Sequence, residues 1–104
     1  MSVLAVFQWE GDPDALLAAY DRELQHSAPR NQPRRVTHIC PRGDNEVVIV
    51  DLWETEQDLQ TRMQNPELLR NLDAAGWPSE PIEQTYQVHA TIPRSADRGT
   101  PLRP

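Results

Sequence analysis

The run Val47-Val48-Ile49-Val50-Asp51-Leu52-Trp53 constrains the fold more than any other stretch of the chain. Read as a strand, it is apolar on both alternating faces, so both faces need cover. Val48, Val50 and Leu52 make one purely aliphatic face. Val47, Ile49, Asp51 and Trp53 make the other, which is still too apolar to be left in water. A buried carboxylate without a partner is costly. Asp51 must therefore be paired by a neighbour, with Arg34 or Arg35 as structural partners, or be held for chemistry. The aliphatic face is the one expected against helices, which sends Asp51 and Trp53 to the opposite side.

The flanking segments supply those helices. Val3–Trp9 reads as a first strand, broken at Gly11. Asp12-Pro13 then starts a helix as N-cap and first-turn proline, with Leu16, Leu17, Tyr20 and Leu24 on one face. The polar segment 27–33 reads as a loop, and Arg34–Cys40 as a second strand stopped by Pro41. The turn residues Arg42-Gly43-Asp44-Asn45 make a hairpin to the central run. Thr55-x-x-Asp58 resembles a capping box, and Asn65-Pro66 restarts the helix after about Gln64. Gly76 is the expected C-terminal glycine. Glu83–Ile92 alternates cleanly as a fourth strand, with Tyr86, Val88, Ala90 and Ile92 on one face and Thr85, Gln87, His89 and Thr91 on the other. Residues 1–92 read as one domain and residues 93–104, rich in Pro, Arg and Gly, as a flexible tail.

Strand, helix, strand, strand, helix, strand is the ferredoxin-like βαββαβ order of an α+β protein. It predicts a four-stranded antiparallel sheet with helices on one face. A chain of 104 residues has nothing left to cover the second apolar face. A second copy is the simplest cover, so a homodimer is expected.

Charge and composition exclude several functions. The formal charge is -6, from 16 acids against 10 bases, which lacks the basic footprint of nucleic-acid binding. Every base is Arg, so no Schiff-base lysine exists. The lone Cys40 allows no intrachain disulfide and reads as a small buried hydrophobe. His26, His38, His89 and Cys40 show no metal-ligand spacing. No apolar run reaches the ~18 residues of a membrane span. With no leader-like segment visible, a cytoplasmic location is expected.

The segment Val48-Ile49-Val50-Asp51-Leu52-Trp53-Glu54-Thr55-Glu56, the Asn65-Pro66 restart and the closing Tyr86-x-Val88-His89 together resemble the dimeric α+β barrel superfamily. Within it they are similar to the antibiotic biosynthesis monooxygenase-like group. The resemblance spans Val3 to Ile92 and implies a dimeric α+β barrel. The superfamily includes cofactor-free oxygenases, haem-degrading enzymes, isomerases and lyases, so fold does not set chemistry. The haem-degrading branch uses an asparagine on the first strand, and a tryptophan and a histidine on the helices after the third. This chain has Gln8 and no Asn on the first strand, and no Trp or His between Glu56 and Ala75. No cofactor is therefore expected.

With the aliphatic face against the helices, the residues directed into the inter-sheet space are Gln8, Asp51, Trp53, Gln87 and His89. The face of His38 is ambiguous. Asp51 and His89 are the expected catalytic pair: the carboxylate fixes the imidazole tautomer and the imidazole acts as general base. Trp53, with Gln8, Gln87 and His38, is expected to bind an aromatic or polyketide-like ligand in a pocket of several hundred Å³. The competing reading is a non-catalytic homodimer that binds a ligand or another protein, with Asp51 and His89 structural.

Overall fold

The computed structural model describes residues 2–26 and 34–92. The elements are β1 (Val3–Glu10), α1 (Pro13–His26), β2 (Arg35–Ile39), β3 (Glu46–Trp53), α2 (Glu56–Met63), α3 (Pro66–Ala75) and β4 (Ile82–Gln87). The expected tail (93–104) and the loop 27–33 lie outside the described residues, as do the side chains of Gln25 and His26. The four strands form one antiparallel sheet in the order β2-β3-β1-β4. This is the expected α+β, ferredoxin-like architecture.

Local chemistry sets the helix ends. Asp12 caps α1, its Oδ1 accepting from the Asp14 amide at 3.2 Å. The Thr55 hydroxyl accepts from the Asp58 amide at 3.1 Å and donates to the Asp58 carboxylate at 2.7 Å, which starts α2. Asn65 caps α3 by accepting from the Glu67 amide at 2.9 Å, with Pro66 in the first turn. Gly76 closes α3 at φ 69° and ψ 47°, a left-handed conformation that disfavours a side chain. Arg22 of α1 donates to the Ala75 carbonyl at 2.8 Å, tying α1 to the end of α3.

Residues opposite each other in adjacent antiparallel strands share a face. Across the sheet, Val3, Trp53, Arg35 and Gln87 form one row on the helix side; Ala5, Asp51, His38 and Thr85 form the next. Val3, Ala5, Trp9, Val47, Ile49 and Trp53 are buried there, packed with Leu16 of α1 and Leu59 of α2. Trp9 stacks on Trp77 with ring centroids 4.1 Å apart. The opposite face carries Leu4, Val6, Val48, Val50, Leu52, Ile39, Ile82 and Tyr86, all partly or fully exposed in the single chain.

This reverses the expected orientation of β3. Val48, Val50 and Leu52 lie on the open face, and Asp51 with Trp53 lies under the helices. The mixed face contains the bulkier residues, and burying two tryptophans removes more apolar area from water than burying short aliphatics. β4 is reversed as well: Tyr86 pairs with Leu4 on the open face, and Gln87 pairs with Val3 on the helix side. β4 also ends at Gln87 rather than Ile92. The cause is its partner: β1 starts at Val3, and past it the Val88 amide donates to the Ser2 carbonyl at 2.9 Å.

Candidate functional site

A half-open cavity of about 130 Å³ lies between the sheet and the three helices. That size is comparable to an engineered cavity of ~150 Å³ that accepts benzene, and smaller than the several hundred Å³ expected from sequence. The sheet contributes Phe7, Trp9, Ile49 and Trp53, and the helices contribute Tyr20, Leu24, Leu59, Met63, Leu68 and Leu72. Into this apolar shell project Glu23, Arg35, His38, Asp51, Arg62 and Glu83.

Three of these side chains form a chain of hydrogen bonds. His38 Nδ1 lies 2.5 Å from Asp51 Oδ1, and His38 Nε2 lies 2.7 Å from the Tyr20 hydroxyl. An ionised carboxylate only accepts, so in the neutral ring Nδ1 carries the hydrogen and Nε2 accepts from Tyr20. The Tyr20 and His38 rings stack at 5.9 Å and 10°. Arg35 Nη1 stands 3.9 Å from the same Asp51 oxygen. Asp51 is buried, so these partners answer its desolvation.

The sequence feature that assembles this cluster is a β-bulge. Arg35 pairs with Trp53, but Thr37 pairs with Leu52 and His38 with Asp51. One extra residue, Val36, is left exposed between them. In a regular strand, residues 35 and 38 point to opposite faces. The bulge shifts the alternation by one, so Arg35 and His38 both face the cavity.

Electrostatics around the cavity are uneven. Burial raises the Tyr20 pKa, with Cys40, Asp51 and Glu23 adding and Arg35 opposing. Burial also raises that of Glu23, against the lowering effects of the Trp77 indole, Arg62 and His38. The Trp77 indole approaches Glu23 without the geometry of a full hydrogen bond. Burial and the neighbouring Arg35 depress the pKa of Arg62. The Trp9 and Trp53 indole N–H groups are buried with no acceptor among the described residues. Among those residues, no group of three or more His, Cys, Asp or Glu side chains is placed to hold a metal ion.

The residues singled out from sequence divide clearly. Asp51 and Trp53 line the cavity, together with His38. An Asp–His pair is present, but the histidine is His38, not His89. His89 is exposed beyond the end of β4 and lines no part of the cavity. Gln87 shares the helix-side face but is exposed and outside the cavity. Gln8 faces away from the helices, as expected, and there its amide donates to the Glu46 carboxylate. Tyr20, Glu23 and Arg62 carry no site signal in the sequence, whereas Arg35, one of the two arginines expected to partner Asp51, stands beside it. Tyr20 reads as part of the helix's apolar stripe, and the bulge that turns Arg35 leaves no mark in the alternation.

The architecture is shared with solved structures that include proteins described as antibiotic biosynthesis monooxygenases. SnoaB, a cofactor-independent oxygenase from Streptomyces nogalater, superposes with a TM-score of 0.67 at 21% identity, over 89% of this chain and 98% of that one. A proposed antibiotic biosynthesis monooxygenase from Deinococcus radiodurans gives 0.69 at 11% identity, over 90% and 99%. Rv0793 from Mycobacterium tuberculosis gives 0.65 at 14% identity, over 92% and 100%. No family model and no curated protein matches the sequence. The likeness is therefore one of fold.

Proposed function

We propose that this chain binds a small aromatic or polyketide-like compound between sheet and helices and acts on it as a cofactor-free, monooxygenase-like enzyme. The observation that carries this reading is the Asp51–His38 pair inside an apolar, tryptophan-walled cavity. The carboxylate fixes the imidazole tautomer and stands beside the positive charge the ring gains on taking a proton. Trp53 and Phe7 flank an aromatic ring, and a carbonyl on the ligand would satisfy a buried indole N–H. Deprotonation of an electron-rich phenol gives an anion able to react with dioxygen. The shared fold with SnoaB, a cofactor-independent oxygenase, agrees with that chemistry.

The open sheet face supports a homodimer. Leu52, Leu4 and Tyr86 form one apolar row across it, and Ile39, Val50 and Val6 form the next. A self-complementary patch of this kind suits a twofold interface.

An oxygen electrode with 1,2,4-trihydroxybenzene, an electron-rich one-ring phenol matched to a cavity of about 130 Å³, tests the enzymatic reading. Wild-type protein should accelerate oxygen uptake above the spontaneous rate, and His38→Gln should abolish that acceleration. Acceleration that survives in His38→Gln would remove the imidazole from the mechanism. No acceleration by the wild type would favour the second reading, a non-catalytic binding protein. One observation already fits that reading: both ring nitrogens of His38 are satisfied within the protein.

A further inference from the structure

The His38 imidazole sits in the cavity wall, yet neither of its nitrogens is free to meet a ligand. Nδ1 is held by Asp51 at 2.5 Å and Nε2 by Tyr20 at 2.7 Å. At the end of this hydrogen-bond relay the Tyr20 hydroxyl donates one hydrogen to Nε2 and keeps two lone pairs. Tyr20 itself lines the cavity, on the α1 wall.

We propose that Tyr20 is the catalytic residue that touches the ligand, and that the ligand presents a phenolic or enolic O–H to it. The ligand O–H bond breaks and its proton passes to the Tyr20 oxygen. The hydrogen already on that oxygen moves to His38 Nε2, where a new N–H bond forms. The ligand leaves as an anion, Tyr20 stays neutral, and the imidazolium lies against Asp51. No electrons change hands in this step. The inference rests on the general-base reading above and names the group through which that base acts.

The surroundings suit the transfer. Burial raises the pKa of Tyr20, which keeps its hydroxyl protonated and donating. The charged and titratable groups around His38 are Asp51 on β3, Arg35 on β2, Tyr20 and Glu23 on α1, and Arg62 on α2. Of these, Asp51 meets Nδ1 and the Tyr20 hydroxyl meets Nε2 at hydrogen-bond distance. Stacking of the two rings at 10° holds the hydroxyl and Nε2 in register.

Two measurements test this. The first is the ¹⁵N NMR signature of His38 in ligand-free wild-type protein. The relay requires the neutral tautomer with hydrogen on Nδ1; hydrogen on Nε2 would overturn it, because Tyr20 would then have no acceptor for its hydrogen. The second uses 4-nitrophenol, a one-ring phenol whose anion alone is yellow, at a pH where the free dye is mostly neutral. Binding to wild type should raise the anion fraction about tenfold, the equivalent of one pKa unit. Tyr20→Phe, which keeps the stacked ring, should bind the dye and leave it neutral, as should His38→Gln. Ionisation retained in Tyr20→Phe but lost in His38→Gln overturns the relay and leaves the imidazole acting directly. Failure of wild-type protein to ionise the bound dye overturns the relay and the general-base reading together.

Discussion

The two faces of β3 differ in a way their sequences conceal. Val48, Val50 and Leu52 are the cleaner hydrophobic set, yet they lie on the open face. Val47, Ile49, Asp51 and Trp53 include a charge, yet they are buried beneath the helices. What decides is the supply of partners. The helix side offers Asp51 an imidazole and a guanidinium from β2, and offers Trp53 the packing of Leu59 and Met63. Among the described residues, nothing on the open side shields even an aliphatic row. An acid in an apolar strand face therefore marks the face where other polar residues converge, not the face left for solvent or a partner.

The comparison predicts its largest effect at Asp51. Replacing it with Ala removes the carboxylate that meets the His38 imidazole at 2.5 Å and stands 3.9 Å from Arg35 at a partly buried site. Removing one partner of a buried pair costs about 3–5 kcal/mol. For a domain of this size, each kcal/mol lowers the melting temperature by roughly 4–8 °C. A thermal or urea unfolding curve reads the loss directly. Stability within about 0.5 kcal/mol of wild type would mean that Asp51 carries no structural burden, and the contrast between the faces would fail.

The second prediction concerns the open face. Val50 lies at its centre, between Val6 and Ile39. Val50→Asp should leave the fold of each chain intact but weaken the proposed dimer by about 100-fold, equivalent to roughly 2.7 kcal/mol. Sedimentation equilibrium measures this. If the wild type sediments as a monomer at every concentration, the open face is not an interface between copies.

Much of the fold is legible in the sequence alone. The strand and helix order, the Asp12, Thr55 and Asn65 caps and the Gly76 stop all follow from local chemistry that acts within a few residues. The site is less legible, for identifiable reasons. Period-2 alternation separates two faces but does not say which is covered. The bulge at Val36 moves His38 across the sheet with no change in composition. The reach of β4 depends on where β1 begins, a pairing fact that places His89 outside the cavity. The partnership of an aspartate and a histidine is readable as a type of chemistry, whereas the choice between His38 and His89 is made by tertiary register.

The smallest predicted effect comes from Glu23, on the helix side of the same cavity. Burial raises its pKa above the ordinary 4.5. Between 4.5 and that raised value, the folded state holds a proton that the unfolded state has lost. The stability linked to this group is therefore fully present below pH 4.5 and is lost as pH rises through the folded pKa. Glu23→Gln keeps the shape and hydrogen-bonding capacity but cannot ionise. The difference in stability between variant and wild type should stay constant below pH 4.5 and shift in favour of the variant as pH climbs above it. Urea midpoints across a pH series measure this. Parallel curves would mean that the Glu23 carboxylate is solvated when folded, which would make the helix side of the cavity wetter than its apolar lining implies.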